Sequence, residues 1–120
     1  MTRINVGFPV KNLTGKHLIA EHREIKRIPN TIKSGKAKVI NIPQNFTLGT
    51  GHVKFFYDKL GYLKERYEEL FRECISRGYQ VTYYGDCFND LPENLMNNYN
   101  VTDEAKKLIE DRINQKLQNK

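Results

Sequence analysis

Between His52 and Arg77, apolar side chains return at steps of three and four: Val53, Phe56, Leu60, Leu63, Tyr67, Leu70, Phe71 and Cys74. A stripe of that period and length commits the segment to an amphipathic helix. A chain of 120 residues has room for one core, so the rest of it must pack on this stripe as a single domain spanning 1–120. The opposite side carries Asp58, Glu65, Glu69 and Glu73 and reads as a solvated acidic face, turned away from any polyanion. Gly61 bends or divides the helix, and Gly78 after Arg77 is a C-terminal stop.

A second helix is expected from about Thr14 to just before Pro29. At 3.6 residues per turn it sorts into three stripes. Leu18, His22 and Ile25 face the core; His17, Glu21 and Glu24 share one flank; Lys16, Arg23 and Arg27 line the next. A third helix opens on Thr102 as N-cap, followed by Asp103 and Glu104, runs to about Leu117, and sets Arg112 and Lys116 one turn apart. Residues 1–13 read as irregular, with Ile4, Val6, Phe8 and Val10 as anchors into the core. Residues 31–47 read as a loop with one short strand near Val39–Ile42, and 79–101 as loop. The class is mainly all-α: three principal helices with irregular connections.

Charge narrows the partners. Lys plus Arg number 20 against 14 Asp plus Glu, a net charge of +6, which favours a polyanion. The distribution is uneven, since the only acids among the first 40 residues are Glu21 and Glu24. Cys74 falls on the apolar stripe and reads as a buried thiol; with Cys87 and the scattered His17, His22 and His52 it makes no metal-binding spacing. No apolar run nears the roughly 20 residues that span a membrane. A soluble protein of a reducing compartment, the cytoplasm, is the expectation.

Two groups carry candidate chemistry. Glu24 is a carboxylate edged by a row of cations, the arrangement of an acid working beside a phosphate those cations hold; the same pattern also describes a solvated helix with a few ion pairs. Thr2 is small enough for the initiator methionine to be trimmed, leaving a free α-amine beside Arg3, or it is simply the second residue of an ordinary chain. Leu48-Gly49-Thr50-Gly51-His52 opens a helix, where Thr50 caps it or backbone amides bind a phosphate.

Three separated blocks carry a resemblance: Met1-Thr2-Arg3-Ile4-Asn5, then His17-Leu18-x-Ala20-Glu21-x-Arg23-Glu24 with Arg27, then Leu48-Gly49-x-Gly51-His52-Val53-x-Phe55-Phe56-Tyr57-Asp58-Lys59-Leu60. In order and spacing they resemble the pyrimidine-dimer DNA glycosylase family, of the phage endonuclease V type. The resemblance implies a compact, mainly three-helix monomer acting on damaged double-stranded DNA. It implies a glycosylase with associated abasic-site lyase activity, needing no metal or cofactor. By position, Thr2 supplies the nucleophilic amine and Glu24 the catalytic carboxylate. Arg3, His17, Arg23 and Arg27 hold the DNA backbone, with Arg112 and Lys116 as further contacts. Members of the family continue into an aromatic, basic C-terminal run containing tryptophan; this chain has no tryptophan, and its connector after Arg27 is shorter. A glycosylase/lyase for another damaged base, or a non-catalytic binder of distorted DNA, are the alternatives.

Overall fold

The computed structural model describes residues 2–118; Met1, on whose removal the free amine depends, lies outside them, as do Asn119 and Lys120. Five α-helices form among the described residues: α1 (Gly15–Glu24), α2 (Arg27–Lys33), α3 (His52–Phe55), α4 (Leu60–Ser76) and α5 (Asp103–Gln118), with short 3-10 turns between some of them. Three of them, α1, α4 and α5, are long, and the only β pairing among the described residues is an isolated bridge between Lys59 and Met96. The mainly all-α class stands.

The core forms where the stripes meet. Leu60, Leu63, Tyr67, Leu70 and Cys74 of α4 are fully buried against Leu18 of α1, Ile25 and Ile28 beyond it, and Ile109 of α5. Ile4 and Val6 of the N-terminal arm are buried with them, while Phe8 and Val10 are only partly covered. The burial of the arm sets the terminus against the helices, which most chain ends are not.

Three expectations about breaks need correcting. The first helix does not run on to Pro29. Its α-helical ladder ends at Glu24, the chain turns at Ile25–Lys26, and α2 begins at Arg27. Pro29 is the third residue of α2 and buried. In a first turn a missing N–H removes no helical hydrogen bond, so this proline belongs to a helix start. Second, the long helix is divided at residues 56–59, ahead of Gly61. Gly61 sits inside α4, where a Cβ would lie 2.7 Å from the Met96 carbonyl oxygen. Its missing side chain admits the 96–97 backbone, and the Tyr62 N–H donates to the Asn97 carbonyl at 3.1 Å. Third, residues 39–42 form no strand. Asn41 takes a positive φ of 54°, which ends extended backbone, and Ile40 is 62% exposed.

The helix ends follow their local chemistry. Thr14 caps α1, its Oγ1 accepting from the His17 N–H at 3.2 Å. Thr102 accepts from the Ala105 N–H at 3.1 Å, in front of α5. Gly78 (φ 81°) ends α4, with the Tyr79 N–H donating to the Cys74 carbonyl and the Gly78 N–H to Ile75. That pair of bonds is the Schellman termination.

Candidate functional site

The flank of α1 that carries His17, Glu21 and Glu24 divides the work of its two acids. Glu21 is turned inward and is 2% exposed. Arg66 of α4 donates to it from Nε at 2.7 Å and Nη2 at 3.0 Å, and Asn5 Nδ2 donates at 2.8 Å. The third arm of the same guanidinium, Nη1, reaches the Phe8 carbonyl at 2.8 Å. One buried pair thus ties α1, α4 and the N-terminal arm together.

Glu24, almost one turn on, is also largely covered, but two of its partners, Arg23 and Arg27, lie largely in solvent. Arg27 Nη1 stands 3.1 Å from its Oε1 and Arg23 Nε 3.8 Å from Oε2, with those arginine side chains 57% and 61% exposed. The carboxylate is recessed between two guanidiniums that are free to meet an anion.

Glu24 opens on a small depression of about 120 Å³, shared with Arg3, Asn5, His17, Ala20, Glu21 and Arg112. His17, Ala20 and Arg112 also line a broader groove of about 530 Å³ between α1 and α5, with Thr14, Lys16, Lys116 and Leu117. The structure therefore brings Arg3, His17, Glu24, Arg112 and Lys116 to one continuous trough, with Arg23 and Arg27 at its edge. Burial and then the Arg112 charge hold the Arg3 guanidinium below its ordinary pKa; burial does the same for Arg112. His17 is likewise depressed, by burial first and then by Arg112, Lys16 and Lys116, against which Glu21 acts weakly in the other direction. Like charges crowded this way are relieved by an incoming anion. A wider depression of about 640 Å³ lies on the acidic side of α4, with Glu65, Glu68 and Glu69; it contains none of these residues.

Thr2 is buried and faces a different depression, of about 390 Å³, formed with residues 48–54 and Tyr57. Arg3, its neighbour in the chain, lines the Glu24 depression and donates to the Leu48 carbonyl. With Met1 attached the Thr2 nitrogen is an amide. The glycine loop corrects the expectation of a Thr50 cap. Gly51 (φ 92°) caps α3, with no side-chain cap from Thr50. The His52 amide donates to the Gly49 carbonyl at 3.0 Å.

Sequence reasoning passed over three polar residues here. Arg66 had a signal, as a charge on the apolar stripe between Leu63 and Leu70. Asn5 had none, being one polar residue in an irregular arm. His52 is 3% exposed; its Nε2 accepts from the Ile4 N–H at 3.0 Å and its Nδ1 bonds the Thr47 carbonyl at 2.8 Å. Burial, above all, brings its pKa down to about 4. His22 is in the core as expected, its Nε2 3.1 Å from the Tyr67 hydroxyl, which accepts from the Tyr84 N–H at 2.6 Å.

Among the described residues no three His, Cys, Asp or Glu side chains gather as a metal site, and no helix is long and apolar enough to cross a membrane. Compared with known families, residues 1–84 match the family model described as pyrimidine dimer DNA glycosylase.

Proposed function

On the premise that this chain belongs to the pyrimidine dimer DNA glycosylase family, and so is a DNA repair glycosylase, we propose that it cleaves the glycosyl bond of one pyrimidine of a dimer in duplex DNA and then cleaves the abasic site through an imine on Thr2. The observation that supports this most is Glu24, a recessed carboxylate at the edge of a trough lined by Arg3, His17, Arg112 and Lys116. Arg23 and Arg27 hold it from the solvent side.

The chemistry begins with removal of Met1, which frees the Thr2 α-amine. An amine attacks only when neutral, and an α-amine of pKa near 7.7 is roughly 17% neutral at pH 7, against well under 0.1% for an ordinary lysine. The nitrogen lone pair attacks C1′ of the damaged nucleotide, and the bond to the base breaks with its electrons leaving on the base, which takes up a proton. Glu24 stabilises the positive charge that builds on the sugar. Loss of the amine proton and opening of the ring give a protonated imine. A base then removes a C2′ proton, and the 3′ phosphate leaves by β-elimination, a step that Glu24 assists. Arg3, His17, Arg23, Arg27, Arg112 and Lys116 hold flanking phosphates, so that geometry is set before the reaction.

The test uses Met1-trimmed protein, borohydride, and two duplexes, one with a cyclobutane thymine dimer and one with an abasic site. Trapping on both is expected. Trapping on the abasic duplex alone would assign the glycosylase step to another damaged base. Trapping on neither, with binding retained, would leave a binder of distorted DNA and overturn the imine.

A further inference from the structure

The N-terminal arm is held at three of its first residues by groups from elsewhere in the fold. Ile4 N–H donates to His52, Asn5 donates to Glu21, and Arg3 donates to the Leu48 carbonyl. Of these bonds, the one to His52 is made by a ring that is itself immobilised. The Phe46 and Phe56 rings meet the imidazole edge to face, at 5.3 Å and 5.4 Å between centroids. Because Nε2 accepts a hydrogen bond from the Ile4 N–H, Nδ1 carries the ring's own proton and donates a hydrogen bond to the Thr47 carbonyl, which fixes one neutral tautomer. The Gly51 turn before α3 delivers the ring to this place: a Cβ there would stand 3.2 Å from Pro43 Cγ. His52 and Thr2 also border the same depression, two residues from the bonded amide.

We propose that His52 is a positioning residue for the nucleophile: its Nε2, holding the Ile4 amide, fixes the direction in which the Thr2 α-nitrogen leaves the core. The inference rests on the imine chemistry proposed for Thr2. A terminal amine has the flexibility of a chain end to lose before it can attack, and a hydrogen bond two residues away removes part of it in the free enzyme. The bond acts on the backbone alone, so it presents the amine without altering the amine's basicity. Phosphate contacts other than Arg3 lie on the α1–α5 side, so duplex affinity depends on it only weakly.

The test compares His52→Leu, which keeps bulk and loses the acceptor, with His52→Gln, whose Oε1 can still accept from Ile4. Met1-trimmed forms of each are followed in single-turnover imine trapping on an abasic duplex. Leu is expected to slow the rate at saturating DNA at least tenfold with duplex affinity changed less than twofold, and Gln to recover most of that loss. A folded Leu variant trapping at the wild-type rate overturns the proposal, as does one losing rate and affinity in proportion. A second reading does not depend on turnover. The N-terminal amine is dimethylated with carbon-13 and its methyl resonances recorded. Distinct, dispersed signals in the wild type and Gln variant, collapsing to a random-coil position in Leu, support the positioning role; random-coil signals in all three overturn it. Wild-type protein that traps no imine but shows dispersed signals overturns the imine assignment and leaves His52's hold on the terminus standing.

Discussion

Glu21 and Glu24 stand three positions apart on one helix, yet one is spent on the fold and the other faces the trough. Glu24→Gln keeps shape and hydrogen bonding and removes the charge. Turnover is expected to fall by about a hundredfold or more with duplex affinity within a few-fold, measured by single-turnover glycosyl-bond cleavage and a binding titration. His52 gives a second expectation at this scale, in stability. Its pKa is about 4 folded and 6.5 in the unfolded chain, so the unfolded state binds the extra proton between those values. Stability from this group is complete above pH 6.5 and is lost as pH falls towards 4, by about 3 kcal/mol in order of magnitude. Denaturant titrations should show that slope in the wild type and a flatter one in His52→Gln. Glu24 with Arg23 was legible in the sequence because neighbours on one helix need only its period to be found, and Arg27, though it opens α2, stays within reach of Glu24 across the short turn at Ile25–Lys26. The Ile4–His52 bond, across 48 positions, has no local periodicity to announce it.

At the scale of elements, the buried Glu21–Arg66 pair joins α1 to α4, and Asn5 and Phe8 extend it to the arm. Arg66→Leu leaves the Glu21 charge buried without its partner and is expected to cost about 3–5 kcal/mol. Glu21→Leu with Arg66→Leu, which leaves no orphan charge, should cost less than either single change in the same unfolding assay. Gly61→Ala is expected to destabilise as well, since the new Cβ meets the Met96 carbonyl at 2.7 Å and backbone must shift. Helix identity was readable from the apolar stripes, whereas two of the breaks were not. Pro29 reads as a stop only if the helix before it is continuous; the turn at Ile25–Lys26 makes it a start. Gly61 reads as a hinge in one dimension, and what it does depends on the 96–97 segment, more than 30 residues later, that crosses over it.

Across the whole molecule, the +6 charge is divided. Cations of the arm, α1 and α5 share one trough, and Glu65, Glu68 and Glu69 of α4 line a separate depression, where Lys64 and Arg72 accompany them. A duplex seated in the trough releases counterions, so log affinity should fall linearly with log salt, and removing one phosphate-binding charge should reduce the slope by about 0.9. Arg27→Gln is expected to do this; Glu69→Gln on the far face is not. Charge asymmetry along the sequence pointed to the polyanion, but the convergence of Arg3 with Arg112 and Lys116 required the folded arrangement of arm, α1 and α5. The central claim, that the amine of Thr2 is the nucleophile, is tested most directly by mapping the borohydride-reduced adduct on an abasic duplex by tandem mass spectrometry. The adduct is expected on the α-nitrogen of an N-terminal peptide beginning at Thr2; an adduct on a lysine side chain, such as Lys54 beside the same depression, would contradict it.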